Sequence, residues 1–459
     1  MPVIKEERQY QLSDGRIQYN MKVNISPYVS IAPRIVLCST NCTIVIKAKY
    51  QFVSLLGNYS VAIFPKYQYS YDSIKEGAYY EPFVVAADNG VIKFNYDFEQ
   101  EQEYIIQVKP AVEQGRTIQV IESSVYALKE DLYKKKVLKG DLHLHTTFSD
   151  GIESPEHRAV MARENGFDFL AITDHNSYHG SKYLIEKMKA CPNNMVFIRG
   201  EEVHAKSCPV HILSLGASNA IAPSVTRMNL SQIRHLECLK EKYASRLDKS
   251  VNCDAFVAAM DVFEKIRISG GLSVLCHIYW DAVDGTNHRR MGAPEQLIDA
   301  LVKECAFDAF EITSGAPEND LKANYLQEAY YREKLPVNFP VIGITDTHST
   351  LNGISIFGKN YTIVFADECS EFGIIEAIRN KYSVSVDGVG NTICHGEIRL
   401  IKYATFLIEH YFPTHDQIVR IEGEIMQRIL EGNHNYLEIL RNLIDDNKIA
   451  IMHEWRIYA

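Results

Sequence analysis

The chain has 459 residues, which is too long for one domain of typical size, and its 46% apolar and 23% charged residues are typical of a globular protein. The formal net charge of −10 disfavours a nucleic-acid polymer as the main partner, because phosphate backbones bind to basic surfaces. We find no apolar run of about 18 residues and no signal-peptide pattern, so we expect a cytoplasmic protein that does not cross a membrane. The ten scattered cysteines predict free thiols, and nothing indicates the oligomeric state.

Residues 1–135 predict a β-sandwich. Apolar and polar residues alternate there in short runs, such as 43–46 and 104–108, and turn-forming residues separate the runs, such as Gly57-Asn58. Evenly spaced short strands of this kind are typical of sandwich domains. No cluster of histidines or carboxylates indicates a site in this region.

From residue 136 the pattern changes to strands that alternate with helices. Ser154-Pro155 begins a helix and Gly166 ends it. With the strand around Leu142 we count seven β units, so we predict a (β/α)7 barrel over residues 136–394, the closed solution for such alternation. The other predicted strands are 167–173, 195–203, 210–215, 272–277, 306–313 and 340–345. Residues 395–459 predict a helical C-terminal extension.

Six histidines and three carboxylates lie at or near the ends of the predicted strands. His143 and His145 are two residues apart at one strand end, so their side chains point to one face. In parallel barrels, functional side chains collect at the carboxyl ends of the strands. The nine candidate metal ligands are His143, His145, Asp150, His175, Glu202, His211, His277, Asp346 and His348.

Imidazoles mixed with carboxylates suit zinc, manganese or iron. Nine ligands exceed the about four to six that one ion takes, so we expect two or three divalent transition-metal ions. A bridged pair of ions would acidify a shared water into a hydroxide nucleophile near neutral pH. Their positive charge would exceed that of the three carboxylates, which favours a small anionic substrate.

Four motifs, in this order along the chain, closely resemble those of the PHP family, named for polymerase and histidinol phosphatase domains. They are Asp141-Leu142-His143-Leu144-His145, Ser149-Asp150-Gly151, Thr173-Asp174-His175 and Thr345-Asp346-Thr347-His348. The resemblance covers roughly residues 138–390 and implies a distorted seven-stranded β/α barrel, commonly with three metal ions. The domain order also resembles the branch that includes carbaryl-type carbamate hydrolases.

The resemblance implies a ligand set for each ion. The first ion would be held by His143, His145, Glu202 and Asp346, the second by Asp150, His175 and His348, and the third by Glu202, His211 and His277. The resemblance implies that Glu202 bridges two ions. The family's glutamate usually stands two residues after a glycine, which selects Glu202 over the neighbouring Glu201, the alternative. After His277 many family members have proline, whereas this chain has Ile278-Tyr279-Trp280.

Further residues have two interpretations each. Glu311 is either a ligand or a hydrogen-bond acceptor for a ligand imidazole, and Asp141 and Asp174 are interpreted as orienting groups. His179, His204 and His288 lie either at the rim of the pocket or elsewhere on the surface. The insert of about sixty residues between the fourth and fifth strands is long for a connection and is a candidate cap for the pocket.

Three functions remain open at this stage. The first is hydrolysis of a small phosphorylated molecule by the metal-bound hydroxide, with the metals stabilising charge on the phosphoryl oxygens. The alternatives are hydrolysis of a carbamate, ester or amide at the same site, and a metal-binding module without turnover. Arg289 and Arg290 follow the fifth strand and are either a substrate-binding pair, since a guanidinium matches two phosphoryl oxygens, or an exposed basic pair.

Overall fold

The structure, a computed structural model, describes residues 4–11, 17–66, 81–112, 117–280, 282–283, 290–314, 321–350, 357–389 and 391–455. It divides into two compact units, one of Met1–Lys135 with Lys448–Tyr458 and one of Lys136–Asn447. The predicted mixed α/β class is confirmed. None of the ten cysteines, all of which lie in the described ranges, forms a disulfide. No helix in the described ranges is long and apolar enough to cross a membrane.

The first unit contains two antiparallel-rich sheets. One has the order β1-β2-β10-β9-β6-β7, with β4 beside β10, and the other has the order β3-β5-β8. Inward residues of both sheets, such as Ile46 and Ile106, belong to one buried cluster, which is the packing of a β-sandwich. The strands are β1 (Ile4–Gln11), β2 (Ile17–Asn24), β3 (Val29–Ala32), β4 (Ile35–Leu37), β5 (Asn41–Ala48), β6 (Asn58–Pro65), β7 (Phe83–Ala86), β8 (Val91–Asp97), β9 (Gln102–Pro110) and β10 (Thr117–Leu128), followed by helix α1 (Glu130–Tyr133).

The second unit begins with alternating strands and helices, as predicted. Its strands are β11 (Lys136–Asp141), β12 (Phe169–Ala171), β13 (Val196–Ile198), β14 (Gly200–Val203), β15 (Ile212–Leu215), β16 (Leu272–Leu275), β17 (Ala282–Val283), β18 (Arg290–Met291), β19 (Ala309–Thr313), β20 (Val341–Gly343), β21 (Tyr361–Ala366), β22 (Ser383–Asp387) and β23 (Ile393–His395). Its helices are α2 (Pro155–Glu164), α3 (His179–Met188), α4 (Ala222–Thr226), α5 (Leu230–Tyr243), α6 (Cys253–Ile268), α7 (Glu295–Glu304), α8 (Leu321–Lys334), α9 (Glu371–Arg379), α10 (Ile398–His410) and α11 (Phe412–Leu430), and α12 (Leu437–Trp455) runs to the end of the described chain.

Helix α2 begins and ends at the residues that the sequence predicts, and local interactions explain why. The Ser154 hydroxyl accepts a hydrogen bond from the His157 N–H, and Pro155 occupies the first turn, where it has no N–H to leave unpaired. Gly166 follows the helix with a φ of +77°, a conformation that glycine adopts without steric cost. The predicted beginning and end of this helix are confirmed.

Apart from β17 and β18, which pair only with each other, the strands of the second unit form two sheets of mixed direction. Their orders are β13-β12-β11-β21-β22-β23 and β14-β15-β16-β19-β20, with β15 antiparallel to both its neighbours and β21 antiparallel to β11. The single strand predicted over 195–203 is two strands in different sheets. The chain turns at Arg199, whose N–H donates to Glu371 and whose carbonyl accepts from the Gly216 N–H. The closed (β/α)7 barrel stays a prediction.

Two isolated parallel bridges connect these sheets, one between Leu144 and Thr347 and one between His175 and Glu202. Both lie beyond the carboxyl ends of β11 and β12. Side chains from both sheets, including Leu138 and Val274, share a buried apolar cluster. The bridges therefore bring the predicted ligand segments together at one end of this core.

The C-terminal helix α11 packs against α2 through buried charges. The Arg163 guanidinium donates to Glu422 at 2.7 and 2.9 Å and to Asp168 at 2.9 Å, with Arg163 and Glu422 each about 1% exposed. Lys139 is buried as well and pairs with Asp416 at 2.7 Å. Because the donors of Arg163 are all directed at acceptors, this helix is held by a specific polar contact in addition to apolar packing.

We expect Arg163→Met to lower the free energy of unfolding of this unit by about 3–5 kcal/mol, because the buried carboxylates of Glu422 and Asp168 would lose the guanidinium that pairs with both of them. Urea unfolding followed by circular dichroism measures the change. Arg420→Met, in the exposed pair Arg420–Glu424 of helix α11, which also carries Glu422, is the matched control. It should lower the free energy of unfolding by less than about 1 kcal/mol. Equal effects of the two changes would contradict a stabilising role for the buried pair.

Candidate metal centre

The structure brings all nine predicted ligand residues together. Their side-chain nitrogen and oxygen atoms form three groups, in each of which the atoms lie within 4.8 Å of one another: His143, His145, Glu202 and Asp346; His145, Asp150, His175 and His348; and Glu202, His211 and His277. The first and third groups are the sets that the family resemblance implies, and the second is the implied set with His145 added. Their role as metal ligands stays a proposal.

The carboxylate of Glu202 belongs to two of the three groups, contacts His175 of the other and is fully buried. Its Oε2 lies 2.8 Å from His175 Nδ1 and 3.3 Å from His143 Nε2. Its Oε1 lies 2.8 Å from His211 Nδ1 and 3.0 Å from His277 Nε2. Burial alone would raise the pKa of Glu202, but the imidazoles of His143 and His211 outweigh it and hold the pKa well below its ordinary value.

Asp346 is the second carboxylate of the group that contains His143, His145 and Glu202. Its Oδ1 lies 3.0 Å from His145 Nε2 and 3.3 Å from His143 Nε2. Burial opposes ionisation of Asp346, but these two imidazoles lower its pKa. The backbone N–H of Asp346 donates to the His143 carbonyl at 2.9 Å, which fixes the two ligand segments to each other.

The second group opens to solvent. The side chains of Asp150 and His348 are 56% and 40% exposed, whereas those of His143 and Glu202 are completely buried. Asp150 Oδ1 lies 3.4 Å from His348 Nε2, and Asp150 Oδ2 lies 3.4 Å from His175 Nε2. A substrate can therefore approach the centre from the side of Asp150.

A set of carboxylates outside the three groups holds the ligand segments. Glu311 accepts from His143 Nδ1 at 3.0 Å and from the His277 N–H at 3.1 Å, so the geometry favours its role as an acceptor over that of a ligand. Asp174 accepts from the Thr146 N–H and hydroxyl and from the Ser149 hydroxyl, each at 2.7 Å. These contacts orient the loop that leads to Asp150.

The two neighbouring glutamates point in opposite directions from β14. Glu201 is also fully buried, but its carboxylate accepts from the Ile221 N–H and belongs to none of the three groups. Burial raises the pKa of Glu201 to about 7. The structure therefore places Glu202, and not Glu201, in the cluster, in agreement with the glycine spacing.

The residues fit divalent cations. His143 Nε2, His175 Nδ1, His211 Nδ1 and Glu202 Oε2 are buried without a hydrogen-bond partner. A buried polar atom without a partner is costly, and buried charges are stable when they are paired or coordinate a metal. Imidazole nitrogens and carboxylate oxygens that converge in this way suit zinc, manganese or iron.

The sequence left His204 between the rim of the pocket and the surface, and the structure brings it into a further group of potential ligand atoms with His175 and Glu202. Trp280, for which no role was predicted, stacks on His211 with ring centroids 4.8 Å apart. A signal for His204 existed, since it stands two residues after Glu202 and strand alternation places such residues on one face. Trp280 belongs to none of the motifs, and no spacing in the sequence indicates that it lies beside His211.

Several predicted residues lie elsewhere or are not described. His179 belongs to none of the groups of potential ligand atoms and lines a cavity. Arg289 and His288 lie outside the described residues. Arg290 begins strand β18, but its side chain is not among those described. The substrate-binding role of Arg289 and Arg290 stays a prediction.

A cavity of about 180 Å³ adjoins the centre at Asn176, the residue after His175. Its lining includes His179 and Lys182 of α3 and the Ser218-Asn219-Ala220 segment, and it contains no carboxylate. The Asn176 N–H donates to the Glu202 carbonyl at 2.8 Å, which fixes this wall of the cavity to the ligand strand. The beginning of the long insert therefore lines the cavity.

Comparison with known sequences gives a match to a domain family. Residues 141–263 match the PHP domain. The matched segment includes six of the nine residues, and His277, Asp346 and His348 follow it. The DNA polymerase/3'-5' exonuclease PolX of Bacillus subtilis (strain 168) is 35% identical over 66 residues, which are 14% of this chain and 11% of that protein. The match thus spans only a small part of that relative.

Two solved structures are similar to this chain. One is a two-domain protein from Bacteroides vulgatus ATCC 8482 containing a predicted PHP-like metal-dependent phosphoesterase, with 21% identity and a TM-score of 0.39 over 59% of this chain and 69% of that one. The other is an amidohydrolase from Chromobacterium violaceum with bound sulfate and no metal. It has 18% identity and a TM-score of 0.30 over 47% of this chain and 89% of that one.

We expect Glu202→Gln to remove about two ions per chain, because a neutral amide bridges cations poorly. Elemental analysis after loading with manganese, iron or zinc measures this. Glu201→Gln is the matched control and should keep its metal, since a glutamine oxygen can still accept from the Ile221 N–H. Loss of metal from Glu201→Gln alone would show that the wrong glutamate has been assigned.

Proposed function

We propose that this chain is a metal-dependent phosphoesterase that hydrolyses a small phosphorylated molecule at a centre of two or three zinc, manganese or iron ions. The observation that carries the proposal is the arrangement of three groups of potential ligands around the carboxylate of Glu202, which belongs to two of them and lies 2.8 Å from His175 of the other. We also propose that the strands around it close as a (β/α)7 barrel in a domain of residues 136–394, with a β-sandwich domain over 1–135 and a helical extension over 395–459. A cytoplasmic location belongs to the same proposal.

The proposed centre assigns each ion its ligands from the described geometry. One ion would be held by His143, His145, Glu202 and Asp346, a second by Asp150, His175 and His348, and a third by Glu202, His211 and His277. Bound there, such ions would lower the pKa of a water and stabilise negative charge on phosphoryl oxygens. The chain's own residues orient the ligands: Glu311 accepts from the ring of His143 and from the backbone N–H of His277, and Asp174 fixes the loop of Asp150.

The charges around the centre favour a small anionic substrate. The three candidate carboxylate ligands do not neutralise two or three divalent ions, so the loaded centre is net positive. The adjoining cavity adds Lys182 and the polar side chain of Asn219 and has no carboxylate in its lining. Its volume of about 180 Å³ has room for a small group and not for a folded polymer. These features support a phosphoester over an uncharged carbamate.

We expect metal-loaded protein to hydrolyse an aryl phosphate faster than an aryl ester or an aryl carbamate with the same leaving group. The physical reason is that charge developing on the phosphoryl oxygens is stabilised by the cations. Turnover is followed by release of the leaving group, and a chelator should abolish it. A preference for the carbamate would favour carbonyl hydrolysis, and metal binding without turnover of any substrate would favour a non-catalytic module.

We expect Lys182→Ala to raise KM for the phosphorylated substrate about two- to fivefold, the size of an exposed charge contact, with little change in kcat. Steady-state kinetics with a charged and an uncharged substrate measure the effect, which should be confined to the charged one. Lys187→Ala is the matched control, because Lys187 is exposed on the same helix but does not line the cavity. Equal KM values for the two variants would exclude this cavity as the binding site.

A further inference from the structure

The side chain of His204 ends in a buried nitrogen with no hydrogen-bond partner. Its ring is 29% exposed, but its Nε2 is buried and lies 3.5 Å from Glu202 Oε1. An ordinary histidine at the surface directs its ring nitrogens to water or to an acceptor. The orientation of this ring towards the centre therefore needs another explanation.

Neighbouring groups hold the ring of His204 in this orientation. Its backbone N–H donates to Asn176 Oδ1 at 2.9 Å. Its ring stacks on that of His211, with centroids 3.7 Å apart and planes at 23°, and lies 4.4 Å from the ring of His175. The position of His204 is thus fixed by two of the candidate ligands themselves.

Glu202 cannot satisfy all the imidazoles that face it. A carboxylate offers about four lone-pair sites, and a neutral imidazole carries one N–H and one lone pair. Six rings direct a nitrogen at this carboxylate within 3.5 Å: His143, His145, His175, His204, His211 and His277. His145 Nε2 has Asp346 as a second neighbour at 3.0 Å, but His204 Nε2 is among the nitrogens left without a hydrogen-bond partner, and its lone pair is available to bind a cation.

We propose that His204 is an additional metal ligand, which binds a divalent ion through Nε2 together with His175 and Glu202. These three residues offer one ligand atom each within 4.8 Å of one another. The assignment rests on the proposed function only in requiring divalent ions in the centre. It extends the ligand set from nine to ten residues and places the added ligand beside Asn176, at the wall of the cavity.

The decisive experiment replaces the imidazole with a thiol. His204→Cys, loaded with Co²⁺ as the full-length chain, should show a thiolate-to-cobalt charge-transfer absorption in the difference spectrum against loaded wild type. His434→Cys provides the matched control, since His434 is exposed and belongs to no ligand group, and it should show no such absorption. In parallel, His204→Ala should bind one ion about ten- to a hundredfold more weakly in competition with a chelator.

Circular dichroism first establishes that each variant is folded, and His204→Asn replaces the alanine variant if that one is not. No charge-transfer band at position 204, together with unchanged ion affinity in the alanine or asparagine variant, would overturn the assignment of His204. If the wild type itself binds no divalent ion, the proposed function fails as well. If the wild type binds divalent ions and the His204 variants bind them with the same affinity, only the His204 assignment is overturned.

Discussion

Both the fold and the centre of the second unit depend on the buried carboxylate of Glu202. An ionised carboxylate without partners would cost several kcal/mol in the interior, and here the imidazoles of His175, His211 and His277 lie within about 3 Å of it. The same residue makes the isolated bridge with His175 that connects the two sheets. Glu202 therefore contributes both to the electrostatic pairing in the cluster and to the connection between the sheets, so a substitution of Glu202 affects both.

The ligand segments are held by hydrogen bonds that do not involve an ion. Asp346 has a φ of +47° and His277 a φ of +21°, conformations that cost about 1–3 kcal/mol unless the surroundings enforce them. The His143 carbonyl accepts from the Asp346 N–H, and Glu311 accepts from the His277 N–H. Because these contacts fix the backbone beforehand, ion binding loses little conformational entropy, and ligand geometry is set by the protein rather than by the ion.

The sequence predicted the candidate site better than the fold, for a physical reason. Two histidines two residues apart, as in His143 and His145, identify a common face whatever the direction of the neighbouring strand. The sequence carries no comparable signal for strand direction, because a strand that is buried on both faces is a continuous apolar run in either direction. The antiparallel direction of β15 and the break between two strands at Arg199 were therefore not predicted. The Arg163–Glu422 contact joins residues 259 positions apart, which local periodicity does not reveal.

An acidic chain can still select an anionic substrate, because charge acts over a limited range. The formal net charge of −10 is distributed over the whole surface, whereas at physiological ionic strength fields decay over about 8 Å. A phosphate at the mouth formed by Asp150 and His348 would therefore respond to the ions and to Lys182 more than to distant carboxylates. Buried positions such as Glu202 are screened least, so the ions held there keep most of their field. Selectivity then follows from the arrangement of a few local charges and not from the sign of the whole chain.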